Sequence, residues 1–253
     1  MRTVDDIALP DAPGGSRGLT GALAVPDGPG PWPGVVLVFE AYGMNDVMRR
    51  QVARLADAGY LALMPDLYAE GGARRCLGAT FRALRSGQGR AFADIETARA
   101  ALAARPDCTG AIGILGFCMG GGFALAAATG RGFSAASSNY GMLPKDLDAL
   151  AGACPVVGSY GARDGSLRGA AATLERVLAE HAVPHDVKEY PSAGHSFLND
   201  ADTGPALVRL ITRPILGAGP DPVAAADAWA RIEAFFAEHL GASTGGSSDR
   251  MVT

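Results

Sequence analysis

Three residues whose side chains support nucleophilic chemistry follow hydrophobic, strand-like segments: Cys118, Asp164 and His195. A thiol attacks a carbonyl carbon, an imidazole takes up the proton, and a carboxylate orients the imidazole. Because parallel strands end at the same edge of a sheet, residues that follow them are expected to lie close together. The three residues therefore predict acyl transfer through a cysteine nucleophile.

The cysteine stands at the centre of a glycine-flanked segment, Gly116-Phe117-Cys118-Met119-Gly120. A strand-like run, 111–115, precedes this segment, and a helix-like run, 121–129, follows it. Residues two positions from the apex of so sharp a turn must be small, because bulk there would collide with the neighbouring strand or helix. The pattern predicts a nucleophile elbow, whose helix N-terminus stabilises a thiolate and an oxyanion. Alone, it fits a small apolar cysteine equally well.

Asp164 and His195 also fit ordinary turn and loop residues, in Arg-Asp-Gly and Gly-His-Ser sequences. Their joint position after strands, together with the elbow, favours a catalytic role. The other histidines are interpreted as structural, since His181 and His239 lie near predicted helix C-termini and His185 begins a strand.

Composition and charge favour small molecules as the partners of this protein. The 253 residues are 48% hydrophobic, which is enough for a sizeable core, and the net charge is −4. Without a basic stripe, neither nucleic acid nor an anionic membrane surface is an expected partner. The acidic N-terminus and the absence of an apolar run near ~20 residues predict a cytoplasmic protein. We expect a monomer or a small homo-oligomer.

The four cysteines are far apart, without C-x-x-C pairs or histidines at ligand spacing. Neither a disulfide framework, a metal site nor a bound cofactor is therefore expected.

Strand-like and helix-like segments alternate along the chain. Strands are predicted at 17–25, 34–39, 60–64, 111–115, 133–140, 155–160 and 185–190. Helices are predicted between a cap at Asn45 or Asp46 and Gly59, and at 90–104, 121–129, 167–181 and 222–240. This alternation predicts a single α/β domain, 1–240, with a mostly parallel central sheet and helices on both faces.

Three segments lack a clear periodicity. Residues 69–89 are predicted to be a loop with some helix near the mouth of the site, and 200–222, broken by Pro and Gly, to be a lid. The Ser- and Gly-rich residues 241–253 are predicted to form a disordered tail.

The chain resembles the dienelactone hydrolase family (carboxymethylenebutenolidases) of the α/β-hydrolase fold. The resemblance covers roughly residues 34–197 and rests on Glu40-Ala41-Tyr42-Gly43-Met44-Asn45, Met48-Arg49-Arg50, Pro65-Asp66-Leu67-Tyr68, the elbow with Gly121, Gly161-Ala162-Arg163-Asp164 and Ala193-Gly194-His195-Ser196-Phe197. A cysteine elbow combined with the Glu40 loop is specific to this family among α/β hydrolases.

The resemblance implies a role for each matching residue. Cys118 attacks an ester or lactone carbonyl, and His195, oriented by Asp164, transfers protons. Backbone N–H groups of Met119 and Ala41 form the oxyanion hole. Glu40 contacts the thiol and helps to deprotonate it once substrate is bound.

Glu40 also makes physical sense beside a thiol. An isolated thiol is mostly protonated at neutral pH, so an adjacent base must generate the nucleophile. Before substrate arrives, a neighbouring carboxylate disfavours the thiolate. The alternative role for Glu40 is an ion pair with Arg49 or another arginine.

Departures from the family bear on the substrate. Where the family carries an arginine, four residues after the histidine, this chain has Asn199, followed by Asp200, and this acidic rim disfavours an anionic ligand. Arg74, Arg75, Arg82 and Arg85 are interpreted as solvated surface residues. The side chains expected to line the substrate pocket are Tyr42, Tyr140, Phe197 and Asn199.

The sequence thus predicts a cofactor-independent hydrolase of a carboxylic ester or enol lactone that works through a Cys-His-Asp triad and an acyl-enzyme. Two alternatives remain: an acyltransferase or thioesterase on the same fold, and a non-catalytic thiol protein that senses redox state or binds a ligand.

Overall fold

The computed structural model describes residues 2–241, except for the side chain of Ile211. Its strands are β1 (Asp5–Ala8), β2 (Thr20–Ala24), β3 (Trp32–Val38), β4 (Leu61–Pro65), β5 (Cys108–Phe117), β6 (Ala135–Asn139), β7 (Val156–Gly161) and β8 (His185–Tyr190). Its helices are α1 (Asp46–Asp57), α2 (Ala73–Ser86), α3 (Arg90–Ala103), α4 (Met119–Ala127), α5 (Ala170–Glu180), α6 (Ala206–Leu216) and α7 (Pro222–Leu240), with a short 3₁₀ helix at Asp148–Leu150.

The strands form one eight-stranded sheet in the order β1-β2-β4-β3-β5-β6-β7-β8. Strands β3 to β8 are parallel to one another, whereas β2 pairs antiparallel with both β1 and β4. The predicted single α/β domain with a mostly parallel sheet is confirmed. The opening strand is shorter than the predicted 17–25, and β1 was not predicted because its acidic sequence lacks an apolar run.

Helices cover both faces of the sheet. In β5, Gly113 lies against Phe236 and Leu240 of α7. The next residue toward the N-terminus, Ile112, points to the other face, where a side chain at Gly34 would meet both Ile112 and Leu102 of α3. Alternate residues of a strand point to opposite faces, so β5 is buried by α7 on one side and α3 on the other. This explains why its C-terminal half is continuously apolar.

Two segments are more helical than predicted. Residues 69–89 contain α2, a helix of 14 residues, so the prediction of a loop with some helix understated the helix there. Its buried positions are Cys76, Thr80 and Ala83, a narrow and partly polar stripe that gives little periodic signal. The Pro- and Gly-broken stretch 200–222 contains α6, which continues past Pro214.

Helix α7 ends at Leu240 and is capped by Gly241 in the left-handed conformation. The predicted tail beyond Gly241 lies outside the described residues. No helix in residues 2–241 combines the length and apolar character needed to cross a bilayer.

Candidate active site

The turn between β5 and α4 displays Cys118 in a strained backbone conformation, with φ +56°. A Cβ atom added to Gly116 would lie 1.9 Å from the Gly120 carbonyl oxygen, and one added to Gly120 would lie 2.0 Å from that of Val38. Both positions therefore require glycine. The Cys118 N–H donates to the carbonyl of Asn139 at 3.0 Å, which ties the turn to β6. The predicted strand, tight turn and helix are present.

Sheet register brings the polar strand ends together. Val38 of β3 is paired with Gly116 of β5, so Glu40 and Cys118 each lie two residues further along adjacent parallel strands. On the other side of β5, Phe117 is paired with Asn139, directly before Tyr140. Glu40, Cys118 and Tyr140 consequently meet at one edge of the sheet.

His195 and Asp164 form a close pair at the same edge. The His195 Nδ1 atom lies 2.5 Å from Asp164 Oδ2, and the Asp164 side chain has no solvent exposure. The other carboxylate oxygen accepts hydrogen bonds from the Ser166 N–H at 3.0 Å and hydroxyl at 2.6 Å. Burial pushes the pKa of Asp164 upward, but the contacts with His195 and Ser166 outweigh burial and lower it below its ordinary value. Asp164 thus stays ionised and fixes the ring.

The environment of His195 favours the protonated imidazole. Burial alone would lower its pKa, but the contacts with Cys118 and Asp164 raise the pKa to about 10. Such an imidazole is protonated near neutral pH and can donate its proton to a leaving group.

Glu40 is buried, with 1% of its surface exposed, and both of its oxygens accept hydrogen bonds from amides. Asn45 Nδ2 lies 3.4 Å from Oε1, and Asn199 Nδ2 lies 3.1 Å from Oε2. Arg49 instead pairs with Asp6 at 2.7 Å. Within residues 2–241 no cationic group forms an ion pair with Glu40, so the alternative of a Glu40–arginine pair is wrong.

Asn199 connects Glu40 to Tyr140. Its Oδ1 atom accepts a hydrogen bond from the Tyr140 hydroxyl at 3.4 Å. Tyr140 is fully buried, has φ +43°, and its ring centroid lies 5.0 Å from that of His195. Burial, with the nearby charges of Glu40 and Cys118, raises the pKa of Tyr140 well above its ordinary value, so the phenol remains a donor.

A small cavity of about 120 Å³ opens onto these groups. It is lined by Glu40, Ala41, Tyr42, Cys118, His195, Ser196, Asn199 and residues of the 201–219 segment. Of the side chains expected to line the pocket, Tyr42 and Asn199 do so. Tyr140 and Phe197 are fully buried and, contrary to that expectation, lie behind the wall, where Phe197 packs on Tyr140 at 5.6 Å between ring centroids.

The peptides expected to form the oxyanion hole lie on either side of Cys118. Ala41 lines the cavity, and its carbonyl is held by the Tyr68 hydroxyl at 3.0 Å. Met119 is the first residue of α4, where a backbone N–H has no partner within its own helix. Both N–H groups are thus placed on segments that flank the thiol.

Helix α6 covers the cavity. The prediction of a lid at 200–222 named none of the residues that this helix contributes to the site. The helix supplies Arg209, Thr212, Arg213 and Leu216 to the wall. Arg213 pairs with Asp202 at 3.1 Å, and Arg209 donates to the carbonyl of Gly204 at 3.1 Å. The spacing of the two arginines, four residues apart on one helical face, is the sequence signal that could have identified them.

Asp200 is absent from the cavity wall, so the expected acidic rim at Asn199 and Asp200 is wrong. Its carboxylate instead forms a two-pronged ion pair with Arg50, in which the second contact measures 2.7 Å. The charged side chains at the rim are those of Asp202, Arg209 and Arg213. Arg74, Arg75, Arg82 and Arg85 do not line it either.

No group of three potential metal ligands occurs in the part of the chain that the structure describes. The four thiols, Cys76, Cys108, Cys118 and Cys154, are free.

Comparison with known proteins agrees with this geometry. The family model for the dienelactone hydrolase family matches residues 19–240. The chain belongs to this family. Among its relatives is a carboxymethylenebutenolidase of Rhodococcus opacus, 28% identical over 220 residues that cover 81% of each chain. The predicted family is therefore confirmed.

Solved structures of family members have the same fold. A putative dienelactone hydrolase from Klebsiella pneumoniae superposes with a TM-score of 0.74 at 27% identity, covering 94% of this chain and 99% of that one. A dienelactone hydrolase-like promiscuous phosphotriesterase from metagenomic libraries gives 0.76 at 26% identity, with coverage of 94% and 99%. Family membership supports a hydrolase that acts on small-molecule esters or lactones.

Proposed function

We propose that this dienelactone hydrolase family member cleaves a carboxylic ester or lactone through an acyl-enzyme on Cys118. The observation that carries the proposal is the 2.5 Å contact between His195 and a fully buried Asp164, at the sheet edge where the elbow displays Cys118. A thiol, a base and an orienting carboxylate are the parts that acyl transfer requires.

The proposed reaction has two halves. The Cys118 sulfur attacks the carbonyl carbon while its proton passes to Glu40, and the oxyanion accepts hydrogen bonds from the N–H groups of Met119 and Ala41. His195 then protonates the leaving alkoxide, which leaves a thioester. In the second half, His195 takes a proton from water, the resulting hydroxide attacks the thioester, and the acid is released as the departing thiolate takes back the proton from Glu40.

Glu40 would act during the first half. It is ionisable, buried and two residues beyond the strand position that pairs with the elbow. Its carboxylate disfavours the thiolate of the resting enzyme and accepts the thiol proton when substrate enters. The cavity of about 120 Å³ favours a small acyl group.

The test compares Cys118→Ala with the parent on 4-nitrophenyl acetate and on a neutral enol lactone. We expect kcat/KM to fall by about 10³-fold or more, since removal of a nucleophile has effects of that order. Intact-mass spectrometry of the rapidly quenched parent should show one added acyl group, located on the Cys118 peptide and removed by hydroxylamine.

Cys154→Ala is the matched control, because burial raises the pKa of Cys154 to about 12 and so keeps that thiol unreactive. It should retain parent activity. Full activity in Cys118→Ala, or an acyl group on another residue, would contradict the proposal.

A further inference from the structure

A second and larger cavity, of about 520 Å³, lies along α4 and shares no lining residue with the catalytic cavity. Its walls are the end of α2, one face of α4, and the loop after β6. The α4 residues in contact with it are Gly122, Leu125 and Ala126, whose spacing of three and four residues defines a single helical face, and Thr129 follows just beyond the helix. The volume is within the range of small-molecule sites.

The floor of this cavity is apolar. Leu84 from α2, Leu125 and Ala126 from α4, and Met142 and Leu143 from the loop supply it. Met142 keeps 37% of its surface exposed, although α4 beneath it is apolar on nearly every side. Leu125 is buried, but Leu84, Ala126 and Leu143 are half-buried, so together with Met142 they offer an apolar surface to a ligand.

Three cations stand around this floor: Arg85, Arg131 and Lys145. Among the ion pairs of residues 2–241, none involves these three side chains. The only lining carboxylate is that of Asp146, and it accepts a hydrogen bond from the Asp148 N–H at 3.1 Å. The cavity is therefore positively charged in a protein whose net charge is −4.

Arg131 is fixed in place. Its guanidinium donates to the Gly87 carbonyl at 2.7 Å and stacks 4.2 Å above the centre of the Phe92 ring. The carboxylate whose charge acts on Arg131 is that of Glu96, and it is held by two hydrogen bonds from Arg99, at 2.6 and 2.8 Å. Arg131 thus has hydrogen-bonding capacity left for an anionic group that enters the cavity.

We propose that this cavity is a second, non-catalytic binding site for an amphipathic anion, namely a carboxylate on an apolar chain or ring. The apolar body lies on Leu84, Ala126 and Met142, and the carboxylate faces Arg85, Arg131 and Lys145. The site is independent of the reaction at Cys118, so its test does not depend on turnover.

Octanoate is the probe, with octanol as the neutral analogue and octylamine as the cationic one. Isothermal titration calorimetry on the full chain should show octanoate binding at one site, with octanol at least about tenfold weaker and octylamine not bound. Octanoate should also raise Tm, because it binds the native state. Equal binding of octanol, or no binding of octanoate, would overturn the proposal.

Variants then locate the site. The exposed pair Arg85→Gln and Lys145→Gln, combined, should weaken octanoate binding by about tenfold or more without affecting folding. Ala126→Phe fills the floor and should abolish binding. Arg209→Gln, in the catalytic cavity, is the matched control and should leave the octanoate affinity unchanged. If Arg209→Gln loses octanoate binding while the Arg85/Lys145 variant keeps it, the anion binds in the catalytic cavity and the second site is refuted.

Discussion

Asn199 occupies a position where one amide side chain serves two ionisable neighbours. It donates to Glu40 and accepts from Tyr140, and its amide can do both because it carries a donor and an acceptor. A carboxylate at this position would keep the acceptor and lose the donor. Asn199 thus orients Glu40 relative to Cys118 without adding a charge.

Asn199→Asp is expected to give ester hydrolysis with an altered pH dependence. Two carboxylates in hydrogen-bond contact cannot both be ionised without a penalty, so Glu40 is displaced near neutral pH. We expect kcat/KM to fall by about ten- to a hundredfold near pH 7, the scale of a displaced catalytic group. Toward about pH 5 the gap to the parent should narrow, because a shared proton restores the hydrogen bond.

Gln51→Ala provides the control for this pH profile. Gln51 donates to the Leu198 carbonyl at 3.1 Å, next to Asn199, without contact to Glu40. The ratio of kcat/KM between Gln51→Ala and the parent should be the same at every pH. A pH-independent deficit in Asn199→Asp would mean that Asn199 serves packing alone.

At the scale of elements, β3, β5 and α4 meet so closely that there is no space for a side chain at Gly120. An added Cβ atom would lie 2.0 Å from the carbonyl oxygen of Val38, the last residue of β3, and 2.8 Å from that of the next residue, Phe39. These are backbone atoms of a central strand and do not move aside.

Gly120→Ala should therefore destabilise the protein by about 3 kcal/mol, measured as the free energy of unfolding in urea. Gly78→Ala is the matched control, since Gly78 lies within α2 and an added Cβ atom there has no neighbour within 4 Å. It should stabilise the protein by about 0.5–1 kcal/mol, because alanine is the better helix former. An equal response at both positions would argue against this account of the elbow.

At the scale of the whole molecule, the buried Asp164 makes stability depend on pH. Its pKa is lower in the folded protein than in the unfolded chain, so ionised Asp164 stabilises the fold above the unfolded pKa of about 3.9. This contribution is lost as pH falls through the lower, folded value. Asp94, whose pKa is raised chiefly by burial, contributes with the opposite sign.

Comparison of Asp164→Asn with the parent isolates this contribution. The difference in the free energy of unfolding should be largest at neutral pH. It should begin to shrink below about pH 4, where Asp164 of the unfolded chain takes up a proton, and should vanish once folded Asp164 is protonated as well. Urea titrations at a series of pH values measure it. A difference that stays constant down to about pH 2 would show that the aspartate acts through packing only.

The elements that sequence alone predicts correctly are those with a strong hydrophobic pattern. Strands β3, β4 and β5 are buried on both faces and have unbroken apolar runs, so the sheet and the residues that follow its strands could be predicted. The edge strand β1 and helix α2 bury little and have weak patterns. Which side chains face the cavity depends on tertiary contacts, so Asp200 was wrongly expected at the rim.

The peptide of His195 is bonded on both sides to the exit of α6: its N–H donates to the Leu216 carbonyl at 2.9 Å, and its carbonyl accepts from the Gly219 N–H at 3.0 Å. The end of the covering segment is thereby anchored to the histidine itself. Residues 200–215 can therefore be replaced as one segment. Their replacement changes the shape and charge of the entrance, while the two hydrogen bonds at Leu216 and Gly219 keep the imidazole in place. Within one scaffold, substrate range can diverge without loss of the reaction.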